Sequence, residues 1–304
     1  MDKIKNNISL EKQILELCQP NVWRWLIRII FDWLLVFTVL YYAHYFNQIW
    51  SYALAILLIG PLQHAIGIMA HDGTHRRVHH NPKVNDFLTN LFGLAPLMTP
   101  MVNYGEFHLG HHNHTGTDKD GEIEFKKSMA PNWSLPITKH HLLITAIKDC
   151  LGLNFFTAMK LGGGLKEAAK SDLLPIVLFW SLAFSLIAYT QAWWLPMVWF
   201  AATMTSFWAS FRLRLWAEHI GTTGTHRFEA NWWQKLFFLH HNIDLHFEHH
   251  LYPAIPLWNL PIVRKLLNKE PIIPLSKLFE SYELSTNSQT AFISAKGIES
   301  QNMA

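Results

Sequence analysis

Histidine is the residue with the most chemical potential in this chain: there are 19 among 304 residues, many of them three or four positions apart. His71 and His75 form an HxxxH pair, and two HxxHH groups follow at His108, His111, His112 and at His246, His249, His250. Positions i, i+3 and i+4 share one face of a helix, so each group turns its imidazoles toward one point if its segment is helical. At this histidine frequency an HxxHH group arises by chance roughly 0.07 times per chain, so two of them beside an HxxxH pair demand a reason. Imidazole nitrogen suits iron, zinc, copper or nickel, and these eight side chains exceed the four to six positions of one ion. Two metal ions is the economical reading. His44, His64, His114, His140, His141 and His226 read instead as interfacial or core side chains. His79, His240 and His241 lie near the groups without belonging to them, and Asn81 and Pro82 should end any helix close to His79.

The elements that must position these residues are membrane helices. Half the residues are apolar and only 15% are charged. Four stretches, Trp25 to Phe46, Tyr52 to Ala70, Leu173 to Tyr189 and Trp193 to Phe211, approach the roughly 20 apolar residues that span a bilayer. They pair as two hairpins whose links, Asn47 to Ser51 and Thr190 to Ala192, contain no Lys or Arg. All 25 basic residues fall in Lys3 to Arg28, Arg76 to Lys170 and Arg212 to Lys296, so the positive-inside rule makes those segments and both termini cytosolic. Six of the eight boxed histidines, and His219, lie in them, and His71 and His75 directly precede Arg76 at the boundary of the second. The expected fold is an all-α integral membrane protein, with four transmembrane helices as two hairpins and a cytosolic helical cap holding a two-metal site. Residues 1–24 form a cytosolic segment, 25–283 the membrane domain and 284–304 a mobile tail rich in Ser, Asn and Gln. Phe87 to Met101, broken by Pro96 and Pro100, is too short to cross and reads as re-entrant or interfacial. Cys18 and Cys150 are too few for a disulfide framework or a thiolate site. A net charge of +3 without a basic stripe argues against nucleic acid, and the polar first twenty residues do not look like a cleaved signal peptide.

HDGTH at 71–75, HLGHH at 108–112 and HFEHHLYP at 246–253, on these helix ends, make the chain resemble the membrane-bound fatty acid desaturase superfamily over roughly residues 55 to 270. Three residues between the first two histidines are most in keeping with bacterial acyl-lipid desaturases. The resemblance implies a four-helix bundle under a cytosolic cap, two histidine-ligated iron ions, oxygen as cosubstrate and a lipid or fatty acyl substrate. It also implies a ninth ligand, for which LRLWAEH at 213–219 makes His219 the candidate. In acyl-CoA relatives an asparagine four residues before that histidine holds a metal-bound water. Here that position is Leu215, and Asn242, four residues before His246, is the alternative.

Taking hydrogen from an unactivated methylene is beyond any side-chain acid or base, so a redox metal and oxygen must supply the oxidant. The expected activity is introduction of a C=C bond into an acyl chain. A hydroxylase, ketolase or terminal-alkene-forming oxidase of the same superfamily would carry the same boxes. The rival from another class is a non-catalytic metal or haem protein, although haem ligation wants single histidines facing each other at membrane depth. Asp72, Glu106, Asp244 and Glu248 stand in or beside the boxes and are the expected partners of the histidines' second N–H. With no HPGG motif, flavin fingerprint or cysteine cluster, electrons must come from a separate donor such as a ferredoxin. Arg227, Lys235, Arg264 and Lys265 are its expected docking surface. A bacterial inner membrane is the expected location.

Overall fold

The structure, a computed structural model, describes residues 2–122, 139–156, 168, 170–219, 224–267 and 272–275. The expected tail at 284–304 lies outside them. Helix α1 (Asp2–Leu17) leads to α2 (Val22–Phe46), α3 (Ile49–Thr74), α4 (Pro82–Thr89), a π-helical turn (Asn90–Leu94) and α5 (Met101–His114). Then come α6 (Lys139–Cys150), α7 (Lys170–Thr190), α8 (Trp194–Met204), α9 (Ser206–His219) and α10 (Trp232–Phe237). A 3-10 turn (His240–Leu245), α11 (His246–Leu251) and α12 (Leu260–Leu267) follow. Two short strands, β1 (Phe228–Glu229) and β2 (Ile273–Pro274), pair in parallel with Phe228 opposite Ile273.

Three helices, α2, α3 and the Asp172–Thr190 part of α7, are long and apolar enough to cross a membrane. Helix α3 is the spine: 61% of its most apolar window is buried, against 28% for α2 and 11% for α7. The outward residues of α7, among them Val177, Leu178, Leu182 and Leu186, are exposed and apolar, as a lipid-facing surface requires. The fourth expected span, 193–211, is not one helix. The chain breaks at Thr205 (φ −128°, ψ −95°) between α8 and α9. The cause lies in α3, where Gly60 leaves room for Ser206 and the backbone nitrogen of Phe207 to press against the helix; a Cβ there would overlap both. Ser206 Oγ donates to the Ile56 carbonyl at 2.6 Å and locks the junction. Hydropathy reads 193–211 as continuous because it is blind to such backbone contacts.

The segment after α4 is not one regular helix either. It runs through the π-helical turn into a loop containing Met98 at φ 54°. Irregular backbone among membrane helices must find its partners inside the protein. Three indoles supply them: Trp33 of α2 donates to Phe92 O at 2.9 Å, Trp180 of α7 to Ala95 O at 3.0 Å and Trp199 of α8 to Pro96 O at 3.2 Å. The loop thereby delivers α5 to a fixed place. Pro100 at the start of α5 offers no side-chain cap, and Asp172 of α7 takes that role, accepting from Met101 N at 3.1 Å and Val102 N at 2.9 Å.

Helix α3 ends in a Schellman motif, with Arg77 N donating to Asp72 O at 2.9 Å and Arg76 N to Gly73 O at 3.0 Å. Arg76 occupies the left-handed position usually given to glycine, at φ 60°. The helix therefore stops at Thr74, with His75 as its cap. Its end packs closely on α4 and the π-helical turn, because Gly73 faces Thr89 and Gly93 faces Ala70, whose Cβ would be 2.7 Å from an added Cβ. Ile66 and Met69 of α3 join an apolar core with Trp25, Ile29, Val198 and Ala202, while Ile68 joins a second core with Trp216, Phe228, Ile243 and Leu260. Helix α3 thus couples the membrane bundle to the cap.

Gly73→Ala is expected to destabilise the protein by about 1–3 kcal/mol through overpacking against Thr89. Gly105→Ala, whose Cβ would meet nothing within 4 Å on α5, should stabilise it by about 0.5–1 kcal/mol. Thermal unfolding of the two variants in one detergent checks the order; equal melting temperatures would contradict it.

Candidate metal centre

Four chain segments bring nine histidines together: α3 with its cap supplies His71 and His75, α5 supplies His108, His111 and His112, α9 ends in His219, and α11 supplies His246, His249 and His250. They sort into two groups. His71, His75, His108, His112 and His249 form one, His111, His219, His246 and His250 the other, and within each the nitrogens lie within 4.8 Å of one another. Helix geometry explains the sorting. Residues four apart diverge by about 40° around a helix, residues three apart by about 60° the other way. On α5 the i, i+4 pair His108 and His112 stays in one group while His111 turns to the other. On α11 the pair His246 and His250 stays together and His249 crosses over. Each HxxHH triplet therefore serves both groups.

The Nε2 atoms converge. His75 and His108 are 2.8 Å apart, His108 and His112 3.0 Å, and His112 and His249 2.9 Å; in the second group His219 and His246 are 3.1 Å apart, and His246 and His250 3.0 Å. A metal–nitrogen bond of about 2.1 Å places ligands at right angles about 3.0 Å apart, so these separations match the edges of a coordination shell. Hydrogen bonding accounts for them poorly. A ring nitrogen carries one in-plane proton or one lone pair, yet His108 Nε2 faces both His75 and His112, and His112 Nε2 faces both His108 and His249. His71 is fully buried with neither ring nitrogen hydrogen-bonded, its ring 4.3 Å from that of His108 and 4.6 Å from that of His249. A buried imidazole without a partner is costly unless a cation satisfies it.

Burial pushes His75 down to about 4 and His112 to about 3, and holds His108, His246, His249 and His250 well below the ordinary imidazole range; neighbouring imidazoles and arginines act the same way, and Glu122 opposes them only at His112. The rings are therefore neutral near pH 7, the form that binds metal. Several have their second nitrogen fixed. His111 Nδ1 donates to Asp120 Oδ1 at 2.9 Å, His219 Nδ1 to Gly224 O at 2.8 Å, and His246 Nδ1 lies 3.3 Å from Glu218 Oε1. Thr115 Oγ1 donates to His111 O at 2.6 Å, which leaves its lone pair to accept from His250 Nδ1 at 3.3 Å. The hydrogen bonds to His111, His219 and His250 each turn a lone pair on Nε2 inward. Burial alone would raise the Asp120 carboxyl, but His111 and the N–H groups of Gly116 and Glu122 hold it below its ordinary value. Arg214 Nε donates to Glu218 at 2.6 Å and orients that carboxylate.

These partners differ from the expected ones. Asp72 accepts from Leu257 N, at 3.3 Å from each oxygen, and Asn242, itself left-handed at φ 67°, donates to Leu257 O at 3.2 Å. Glu248 is enclosed by Arg227 Nε at 2.8 Å and by Arg264 at 3.2 and 3.1 Å. Asp244 pairs with Lys235 at 2.8 Å, and Glu106 is exposed. The reason is angular: a residue two positions from a ligand, as Glu248 is from His246, points to the opposite face of the helix. The same pairs correct the expected docking surface, since Arg227, Arg264 and Lys235 spend their charge on buried carboxylates while Lys265 alone of the four stays exposed without a described partner. Glu218 had a visible signal, adjacent to His219 and four residues after Arg214. Asp120 had none, because it reaches His111 only through the turn at Gly116 (φ 75°).

The remaining histidines stay outside both groups. His241 pairs with Asp32 at 2.7 Å, the His240 ring lies 5.8 Å from that of buried His64, His44 stacks on Trp194 and His140 is exposed on α6. Leu215, at the asparagine position of acyl-CoA relatives, is buried and apolar.

A family model for fatty acid desaturases matches residues 47–272, a range that holds all nine histidines. The chain is also similar to a dihydrorhizobitoxine desaturase of Bradyrhizobium elkanii, 26% identical over 247 residues that cover 73% of this chain and 69% of that one.

Purified protein should carry about two metal ions per chain, and His250→Ala, which leaves three ligands in the smaller group, should lower that to about one. His249→Ala keeps four ligands in the larger group and should lose less. Elemental analysis by mass spectrometry decides; unchanged metal in His250→Ala would contradict the grouping.

Proposed function

The chain belongs to the fatty acid desaturase family, and from that membership we propose that it is an oxygen-dependent di-iron desaturase introducing a C=C bond into the acyl chain of a lipid. The observation that carries this reading is the convergence of imidazole nitrogens into one group of five histidines and one of four. An all-imidazole donor set of this size would suit two iron ions that must also meet oxygen. His71, His75, His108, His112 and His249 would hold one ion, and His111, His219, His246 and His250 the other. Bound iron, with oxygen as cosubstrate, supplies the C–H-cleaving power that no side chain has.

The protein's own contribution is placement and exclusion of water. Asp120 keeps His111 in the tautomer that points a lone pair inward, and Glu218 lies beside His246. Asp172 fixes the start of α5, and Glu248, clamped by Arg227 and Arg264, fixes α11 against the rest of the cap. Burial of His71, His108, His111, His246 and His249 keeps bulk water from the centre, where it would intercept an oxidant meant for a C–H bond. Small displacements of the acyl chain decide between a second hydrogen abstraction and oxygen transfer. A relative named as a desaturase supports the first. The distribution of Lys and Arg supports a cap and both termini on the cytosolic side; a bacterial inner membrane and a separate electron carrier such as a ferredoxin complete the reading.

Mass-spectrometric lipid profiles of a host with and without the gene test the reaction. The expected difference is a fatty acyl species lighter by two hydrogens. A product heavier by one oxygen, with no new alkene, would replace desaturation by hydroxylation. His111→Ala and His249→Ala should abolish the product, and His140→Ala, on the exposed face of α6, should retain it.

A further inference from the structure

The turn that ends α3 presents Arg76, Arg77, His79 and His80 in succession, and none of these side chains belongs to the two histidine groups. Together with Leu15, Pro82 and residues 18–20 they line a cavity of about 350 Å³. Its walls contain two guanidiniums, two imidazoles and no carboxylate. Arg77 is the organising residue. Its Nε donates to His75 O at 2.6 Å, and its Nη1 donates to Cys18 O at 2.6 Å and Ala254 O at 3.0 Å. Carbonyls take its hydrogen bonds but do not cancel its charge, and Nη2 has no partner among the described residues. Arg76, by contrast, is neutralised by Asp86 at 2.5 Å. Asn81 N donates to His79 Nδ1 at 2.9 Å, which leaves the proton of a neutral His79 ring on Nε2. The cavity thus offers donors and a net positive charge. The carbonyl end of α3 contributes about half a negative charge nearby, which the full charge of Arg77 outweighs.

The cavity's level in the fold identifies the ligand. Gln19 and Pro20 precede the first turn of α2, and Arg76 follows the last turn of α3, so the cavity sits where two membrane-crossing helices leave the apolar layer. Phospholipid phosphates occupy that level. We propose that this cavity binds the phosphate ester of a phospholipid headgroup, with Arg77 and His79 as its donors and Leu15 and Pro82 against the glycerol. Through Arg77 the bound headgroup is tied to the His75 carbonyl and so to the larger histidine group. As a handle that sets where along an acyl chain the centre acts, the site rests on the acyl-lipid reading above; as an anion site it stands without it.

Calorimetric titration of the full-length, metal-loaded protein in detergent tests the proposal with three soluble probes: dihexanoyl phosphatidylglycerol, dihexanoylglycerol and inorganic phosphate. The phosphatidylglycerol is expected to bind at least about tenfold more tightly than either of the others, the loss expected when a charge-assisted contact or the glycerol contact is missing. Inorganic phosphate binding as tightly would make this a site for soluble phosphate and overturn the lipid assignment. Dihexanoylglycerol binding as tightly would overturn phosphate recognition. The double variant His79→Ala, His80→Ala should weaken phosphatidylglycerol binding about tenfold at unchanged metal content. Arg77→Lys retains the charge without the planar fork and should weaken it less than Arg77→Ala. If the double variant misfolds, His79→Ala alone, at a half-buried position, serves in its place. Wild-type affinity in the folded histidine variant and in Arg77→Ala would overturn the site. Binding and metal content are read without turnover, so a failure of the desaturase reading leaves this result separate.

Discussion

Nine imidazoles are held with their lone-pair nitrogens facing two points inside the protein, several of those nitrogens only about 3 Å apart, and the rest of the structure answers to that arrangement. Neutral rings in such contact gain nothing from one another, and protonated rings repel. The surrounding fold must therefore impose the geometry before a cation can reward it. Helix α3 ends with His75 as its cap, α5 is capped from α7, and α11 is fixed by the ion pairs of Glu248. Each device acts on a helix end, where a small change of angle moves an imidazole furthest.

Buried acids divide this labour. Asp120 and Glu218 touch histidines; Asp72, Asp172 and Glu248 touch backbone or arginine and hold the helices that carry them. Asp149 clamps Arg212 with bonds of 2.5 and 3.0 Å and ties α6 to α9, the helix that ends in His219. In a medium that poorly solvates charge each acid needs a partner, and removing one partner of such a pair costs about 3–5 kcal/mol. The same accounting explains the tryptophans of the bundle. Trp33, Trp180 and Trp199 fill space, but their indole N–H groups also satisfy the carbonyls of a segment that could not otherwise sit among apolar helices.

The spacing of the histidines, their placement at the ends of apolar runs and the division of Lys and Arg were enough to find the centre, because helical periodicity and membrane partition are local properties of a chain. Eight ligand candidates came from spacing and His219 from resemblance. All nine meet in space. The irregular backbone of 87–101 was legible for the same reason, since Pro96 and Pro100 interrupt any long helix there. What tertiary structure decided was everything that depends on direction across space. The break at Thr205 follows from Gly60 on another helix. The split into five and four follows from how α5 and α11 are rotated against each other. Asp120 replaces the nearer acids because a turn folds it back onto His111, whereas Asp72, Asp244 and Glu248 leave their helices at angles that face away. Sequence neighbours of a ligand are separated from it by about 100° per residue, so adjacency along the chain names the wrong acids as readily as the right ones. Only the packing of one element on another determines which carboxylate meets which ring.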